Sequence, residues 1–291
     1  MSDTLGFYGI QFLNGMAYSL LLFLLAMGLS LIFGMMDVMN LAHGSLYMIG
    51  AYVGLFFLGW TGQFWIAVVL VPIAVGIIGI IMEASLLRPL YRRGHLDQVL
   101  LTFGLSFVFM DMVKWIWGAD IRSLPAPPGL AKSAIIFGRS FPEYRLFVIV
   151  IGLILALALW AFLERTRLGA VIRAGVADKE MVSGLGINIT LVFTLVFGLG
   201  AALAGLSGII AGPVLGLYPG MDFETLIITL IVVVVGGLGT LKGSFWGAIL
   251  IGQAQTFGKV LVPDFALLIV FVIMAIVLLA RPSGLFGKEA A

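Results

Sequence analysis

Apolar residues run along this chain in long blocks instead of alternating with polar ones. The blocks fall at about 7–33, 41–60, 63–87, 96–118, 146–163, 190–212, 223–236, 244–261 and 265–280, separated by charges or by glycine and proline. A helix needs about 20 mostly apolar residues to cross a bilayer. Some blocks reach that length and others are shorter or broken by glycine, so the pattern predicts about eight to ten crossing or re-entrant helices. A transmembrane barrel would need short segments of alternating polarity, and runs such as Ile227–Val235 do not alternate. The predicted fold class is all-α, a polytopic membrane helix bundle.

Composition strengthens this reading. Of 291 residues, 62% are hydrophobic and 10% charged, and the mean hydropathy is +1.19. Soluble domains carry about 45–50% apolar and about 25% charged residues. A water-soluble fold could not cover so much apolar surface, whereas lipid matches it. The 38 glycines agree, because glycine is commoner in membrane helices than in soluble ones. A net charge of +2 offers no basic field for nucleic acid, so membrane lipid is an expected partner and nucleic acid is not. The chain has no cysteine, which excludes disulfides, thiolate metal sites and thiol nucleophiles. Only Asp3 is charged before the first apolar block, so Gly6–Gly34 reads as a retained membrane segment.

Charge also sets the expected topology. Arg88, Arg92 and Arg93 cluster in one short loop, Arg165, Arg167, Arg173 and Lys179 in a second, and Arg281 and Lys288 flank the end. Basic residues are retained on the cytoplasmic side, so these regions are expected there, with the loop at about 119–145 and the N-terminus outside. Arg122, Lys132, Arg139 and Arg145 run against that rule, and Pro125, Pro127 and Pro128 predict irregular backbone in the outer loop. Residues 1–291 are expected to form a single transmembrane domain. Within it, Gly28-Leu29-Ser30-Leu31-Ile32 recurs as Gly205-Leu206-Ser207-Gly208-Ile209, each ahead of a break. The recurrence suggests repeat halves at about 1–118 and 146–291, an arrangement in which transporters place sites at corresponding helix breaks.

No catalytic residue or metal site is expected. His43 and His95 lie on different segments, and there is no HExxH, no GxSxG and no metal-ligand spacing. Gly237–Gly243 has the glycines of a phosphate loop, but Lys242 precedes the last glycine, so the loop lacks the Gly-Lys-Ser/Thr that holds a nucleotide. Energy for any work must come from elsewhere.

Polar groups at the helix breaks are the candidates for a substrate path. Asn40 suits the N-cap of a helix starting at Leu41, with His43 and Ser45 in its first turns. These residues either cap that helix around a satisfied buried histidine or aim a half-helix N-terminus at a passing carboxylate. Tyr218, Asp222 and Glu224 mark the second break, where Asp222 suits an N-cap and Glu224 the first turn. Asp111 and Lys114 are placed to pair along one helix face. Glu83 is expected to pair with a basic residue near the cytoplasmic interface.

The second basic loop, about 164–189, carries the most information. Apolar Val176, Met181, Leu185 and Ile187 interrupt the charged Arg173, Asp178, Lys179 and Glu180. Ala177–Leu185 can form a short helix, with Asp178 and Glu180 at its positive end and Gly184 and Gly186 to stop it. Such a helix either caps the bundle or docks in a groove of a cytoplasmic subunit.

Arg173–Asn188, the Gly198–Gly212 helix, and Val234 followed by Gly236-Gly237-Leu238-Gly239-Thr240, Gly243 and Gly247 resemble the LivH-type permease family. Its members are membrane subunits of branched-chain amino acid ABC importers. Gly34, Asn40-Leu41-Ala42-His43-Gly44-Ser45 and Gly50-Ala51-Tyr52 resemble the N-terminal signature of the same family. The resemblance spans nearly the whole chain and is weakest in 119–145. It implies a permease subunit of the bacterial inner membrane that moves branched-chain or other small hydrophobic amino acids inward. It also implies a second, LivM-like permease subunit, two cytoplasmic ATPase subunits holding ATP and magnesium, an extracytoplasmic substrate-binding protein, and no cofactor in this chain. Arg173, Val176, Asp178, Met181, Gly184, Leu185 and Gly186 then belong to the helix that couples to the ATPase. An importer for urea or short amides is an alternative. An ion-coupled secondary transporter is another, although it would want mid-membrane carboxylates that the apolar runs lack.

Overall fold

The computed structural model describes residues 2–91 and 93–287, with side chains from Thr4 onwards; Arg92 and Lys288 of the basic clusters lie outside the described residues. Eleven α-helices follow one another: α1 Ser2–Met36, α2 His43–Thr61, α3 Phe64–Met82, α4 His95–Trp117, α5 Glu143–Arg165, α6 Arg167–Ala177, α7 Lys179–Gly184, α8 Ile189–Leu215, α9 Met221–Gly236, α10 Leu241–Leu261 and α11 Ala266–Ala280. Nine match the predicted apolar blocks, and the short α6 and α7 occupy the second basic loop. Among the described residues, seven stretches are long and apolar enough to cross a membrane: Thr4–Met36, His43–Thr61, Phe64–Leu90, His95–Trp117, Glu143–Arg165, Ile189–Leu215 and Pro263–Ala280. The protein is a multi-pass membrane helix bundle.

Helix α1 is its axis. Between Leu20 and Ile32 almost every side chain is buried, because α1 is packed by α5, α8, α9 and α10. Small residues permit this crowding. A Cβ on Gly28 would fall 2.6 Å from the Gly200 carbonyl oxygen, and one on Gly200 would fall 2.9 Å from that of Gly28. Such contacts supply packing where lipid removes the hydrophobic drive between helices. The pairing of Gly28 with Gly200, and of Ser207 with the Leu21 carbonyl at 2.9 Å, sets α1 and α8 antiparallel. Gly50 against Gly205 and Gly54 against Ile209 set α2 parallel to α8.

The basic regions collect at one end. There Asp37 pairs with His95 at 3.5 Å, Gly175 packs on Met35 and Gly34 on Gly239. The C-terminal segment closes the same end, Leu285 and Phe286 donating to the carbonyls of Val235 and Gly236 at 2.9 and 3.0 Å. Glu83 is fully buried at this end. Its carboxylate accepts from Arg88 and Tyr91, both at 2.8 Å, and from Thr194 of α8 at 2.9 Å. Beyond Met82 the chain widens into a π turn over Glu83–Leu87 before Arg88, and that geometry brings both partners onto one carboxylate. Burial and the carboxylate together hold the Tyr91 phenol above its ordinary pKa, so it remains a donor.

The outer loop is more ordered than its prolines predict. Strands β1 Ser133–Ile136 and β2 Arg139–Pro142 form an antiparallel hairpin with Ile136 opposite Arg139. Both turn residues, Phe137 and Gly138, have positive φ, 50° and 72°, as a two-residue hairpin turn requires. Gly6 and Gly9 leave room for Phe137 against α1, and Arg139 lies over the Phe7 ring.

Candidate translocation site

The site is built from two interrupted helices. Helix α1 runs to the basic end, the chain turns through Asp37–Ala42, and α2 starts again inside the bundle. His43, its first residue, has Nε2 3.0 Å from the Leu25 carbonyl. Leu25 lies 36 − 25 = 11 residues before the end of α1, or about 16 Å from the basic end at ~1.5 Å per residue. Helix α8 runs the opposite way and breaks at Gly216–Gly220, and α9 then returns to the basic end. With 16 residues, α9 is about 24 Å long, too short for a hydrocarbon core of about 30 Å. The positive ends of α2 and α9 therefore meet within the bundle, where Ser45 Oγ donates to Asp222 Oδ2 at 2.8 Å and both side chains are buried.

Broken backbone at this depth persists only where its polar groups find partners. At the first break, the Leu41 N–H donates to Thr102 Oγ1 at 3.1 Å and the Leu41 carbonyl accepts from Ser106 Oγ at 3.3 Å, so α4 supports it. At the second, Leu217 and Arg122 exchange two backbone hydrogen bonds of 2.8 Å, so the outer loop supports it. The sequence-based caps differ here. Helix α2 begins at His43, not Leu41, and its N-cap is Ala42. The Asn40 side chain accepts from the Ala42 N–H at 3.1 Å, closing a turn ahead of the helix. Gly220, with φ 102°, is the N-cap of α9, and Asp222 lies within the first turn, free to reach Ser45.

The six candidate path residues fall into two groups. Asn40, His43, Ser45 and Asp222 are buried, with less than 2% exposure each. They still hold polar atoms without protein partners: Asn40 Nδ2, His43 Nδ1 and Asp222 Oδ1. Tyr218 and Glu224 instead border a cavity of about 100 Å³, the Tyr218 hydroxyl donating to Glu224 Oε2 at 2.6 Å. Asp111 and Lys114 pair at 3.1 Å on an exposed face.

The coupling candidates lie together at the basic end. Arg173 reaches Glu164 at 3.5 Å. Asp178 caps α7, its Oδ1 accepting from the N–H groups of Glu180 and Met181 at 3.0 and 2.9 Å. Leu185 ends the helix, and Gly186 leaves it at φ 81°. Val182 is buried beneath, whereas Met181 and Leu185 are 66% and 74% exposed and Val176 is exposed as well. Nothing crowds Gly184 or Gly186. A capped helix thus stands out from the bundle with two large apolar side chains uncovered.

The family model described as "Branched-chain amino acid transport system / permease component" matches residues 11–278. The chain belongs to that family. Among relatives of this permease, the "High-affinity branched-chain amino acid transport system permease protein BraD" of Pseudomonas aeruginosa is 28% identical over 295 residues, covering 96% of this chain and 95% of the relative. The "High-affinity branched-chain amino acid transport system permease protein LivH" of Escherichia coli is 27% identical over 308 residues, covering 99% and 98%. A "Probable branched-chain amino acid transport permease protein LivH" of Methanocaldococcus jannaschii is 25% identical over 290 residues, covering 94% and 90%. No solved structure matches the chain. The permease is thus a transport component, not an enzyme.

Sequence reasoning missed part of the cavity of this permease. Tyr18, Tyr47 and Lys259 also line it, beside Thr225 of the second break. Tyr47 follows His43 by four residues and shares its helix face, a signal that was readable. Tyr18 and Lys259 come from helices far apart in sequence, and only the antiparallel packing of α1 on α10 joins them.

Proposed function

We propose that this chain is the membrane-spanning subunit of an ATP-driven importer of the bacterial inner membrane that moves branched-chain amino acids inward. The observation that carries the reading is the exposed α7. Met181 and Leu185 are uncovered beside a charged, capped turn, and an apolar face of that kind fits the groove of another protein. The chain has no nucleotide loop of its own, so the partners are two cytoplasmic ATPase subunits holding ATP and magnesium. A second, LivM-like permease subunit and an extracytoplasmic binding protein complete the assembly. Closure of the ATPases moves α7. The buried junction of α2 and α9 shifts between two packings, which exposes the path to one side and then the other.

Matching breaks in α1–α2 and α8–α9, run in opposite senses, support two inverted repeat halves around one central site. The substrates follow from the relatives' names. Purification of the tagged chain from its native membrane tests the reading. ATPase subunits should accompany it, and the reconstituted complex should take up L-leucine, L-isoleucine and L-valine in an ATP-dependent manner. Uptake driven by an ion gradient without ATPase subunits would refute it.

A further inference from the structure

The cavity of about 100 Å³ is walled by five helices: Tyr18 from α1, Tyr47 from α2, Leu215 from α8, Glu224 and Ile228 from α9, and Lys259 from α10, with Tyr218 at the α8–α9 break. Glu224 and Lys259 carry opposite charges into one small space, yet they do not pair. The four ion pairs among the described residues are Glu83–Arg88, Asp37–His95, Asp111–Lys114 and Glu164–Arg173. Glu224 has one hydrogen bond, from the Tyr218 hydroxyl. Both side chains are exposed on this face of the subunit, and unpaired charges turned to lipid would be costly, so such groups line polar cavities instead. The space is several times the roughly 10–15 Å³ that one water needs on this measure, so it admits a small, doubly charged head group.

We infer that this cavity is a binding station for the zwitterionic head of an α-amino acid. The Lys259 ammonium takes the α-carboxylate, and the Glu224 carboxylate, oriented by Tyr218, takes the α-ammonium. The apolar side chain lies along Ile228 and the neighbouring Met221 and Leu215. Opposite charges held apart suit the two poles of a zwitterion and discriminate against molecules that lack either pole, because the unmatched charge is left desolvated and alone. The second permease subunit covers the exposed side. This inference rests on the proposed role as an amino acid permease and names residues that set its specificity.

Photo-leucine, a diazirine analogue that retains both charged groups, provides the test in the complete reconstituted importer. Illumination should attach it to peptides of α9 and α10, and excess L-leucine should suppress the labelling. Neither leucinamide nor 4-methylpentanoate, each lacking one pole, should compete. Lys259→Met and Glu224→Gln should each lower the labelling at least about tenfold, the scale of one lost charge-assisted bond. Lys259→Arg should retain labelling, which separates loss of charge from loss of fold. Parental importer that takes up L-leucine but is labelled elsewhere, or equally in the Met and Gln variants, would overturn the cavity assignment alone. Parental importer that takes up no L-leucine would overturn the proposed function and this inference with it.

Discussion

At the scale of single residues, His43 shows how depth changes the meaning of a polar group. Its Nε2 lies 3.0 Å from the Leu25 carbonyl, which can only accept, so Nε2 carries the proton and Nδ1 is bare. The histidine thus ties the first turn of α2 to the middle of α1. His43→Ala would remove that second bond to a carbonyl already held in the α1 ladder, a loss of about 0.5–1.5 kcal/mol, and would open a void beside Gly28. The expected result is a lower melting temperature for the solubilised protein and less of it in the membrane, with transport per assembled complex retained. Thermal melts in detergent and uptake normalised to complex would decide; an unchanged melting temperature with lost transport would instead put His43 in contact with substrate. Asp222 makes a related point. Its sequence position suits a cap, but the cap is a glycine, and the carboxylate serves instead to join α9 to Ser45 of α2.

At the scale of elements, α7 is too short to be stable by itself, since isolated helices under about 12 residues are marginal in water. The Asp178 cap, the buried Val182 and the packing of Gly175 on Met35 hold it in place. Its exposed apolar pair is therefore free for a partner. Replacing Met181 and Leu185 together by aspartate would put two charges into an apolar groove without counter-ions. Membrane insertion should be unchanged, since neither residue lies in a predicted span. Recovery of ATPase activity with the tagged chain should fall by tenfold or more, on the order of two lost apolar contacts of about 1.5–3 kcal/mol each. Pull-down and uptake assays measure this, and parental activity in both would reduce α7 to a cap on the bundle.

At the scale of the whole molecule, both described basic loops and the C-terminal segment share one end, while the hairpin marks the other. If the basic end is cytoplasmic, single cysteines introduced at Arg93 and Met181 of this cysteine-free chain should be shielded from an impermeant thiol reagent in intact cells. A cysteine at Ile135, 82% exposed on β1, should react readily, and permeabilised cells should label all three; the opposite pattern would invert the topology. Much of this architecture was legible beforehand. Membrane character, a bundle of about eight to ten long apolar segments and a short helix near Ala177–Leu185 follow from block length, glycine punctuation and local capping, which depend on neighbours in sequence. Local signals could not supply the meeting of Ser45 with Asp222, 177 residues apart, or the shared cavity of Tyr18 and Lys259. Nor could they show that Thr102 and Ser106 complete the first break from a different helix. Those contacts depend on which helix faces approach, and in lipid that choice is made by close packing of small residues and by buried polar groups finding partners, not by hydrophobicity. Block length and glycine punctuation marked the apolar segments and placed their breaks to within a few residues; which breaks face each other is settled in the folded bundle, because that is a matter of shape and of satisfied hydrogen bonds between distant parts of the chain.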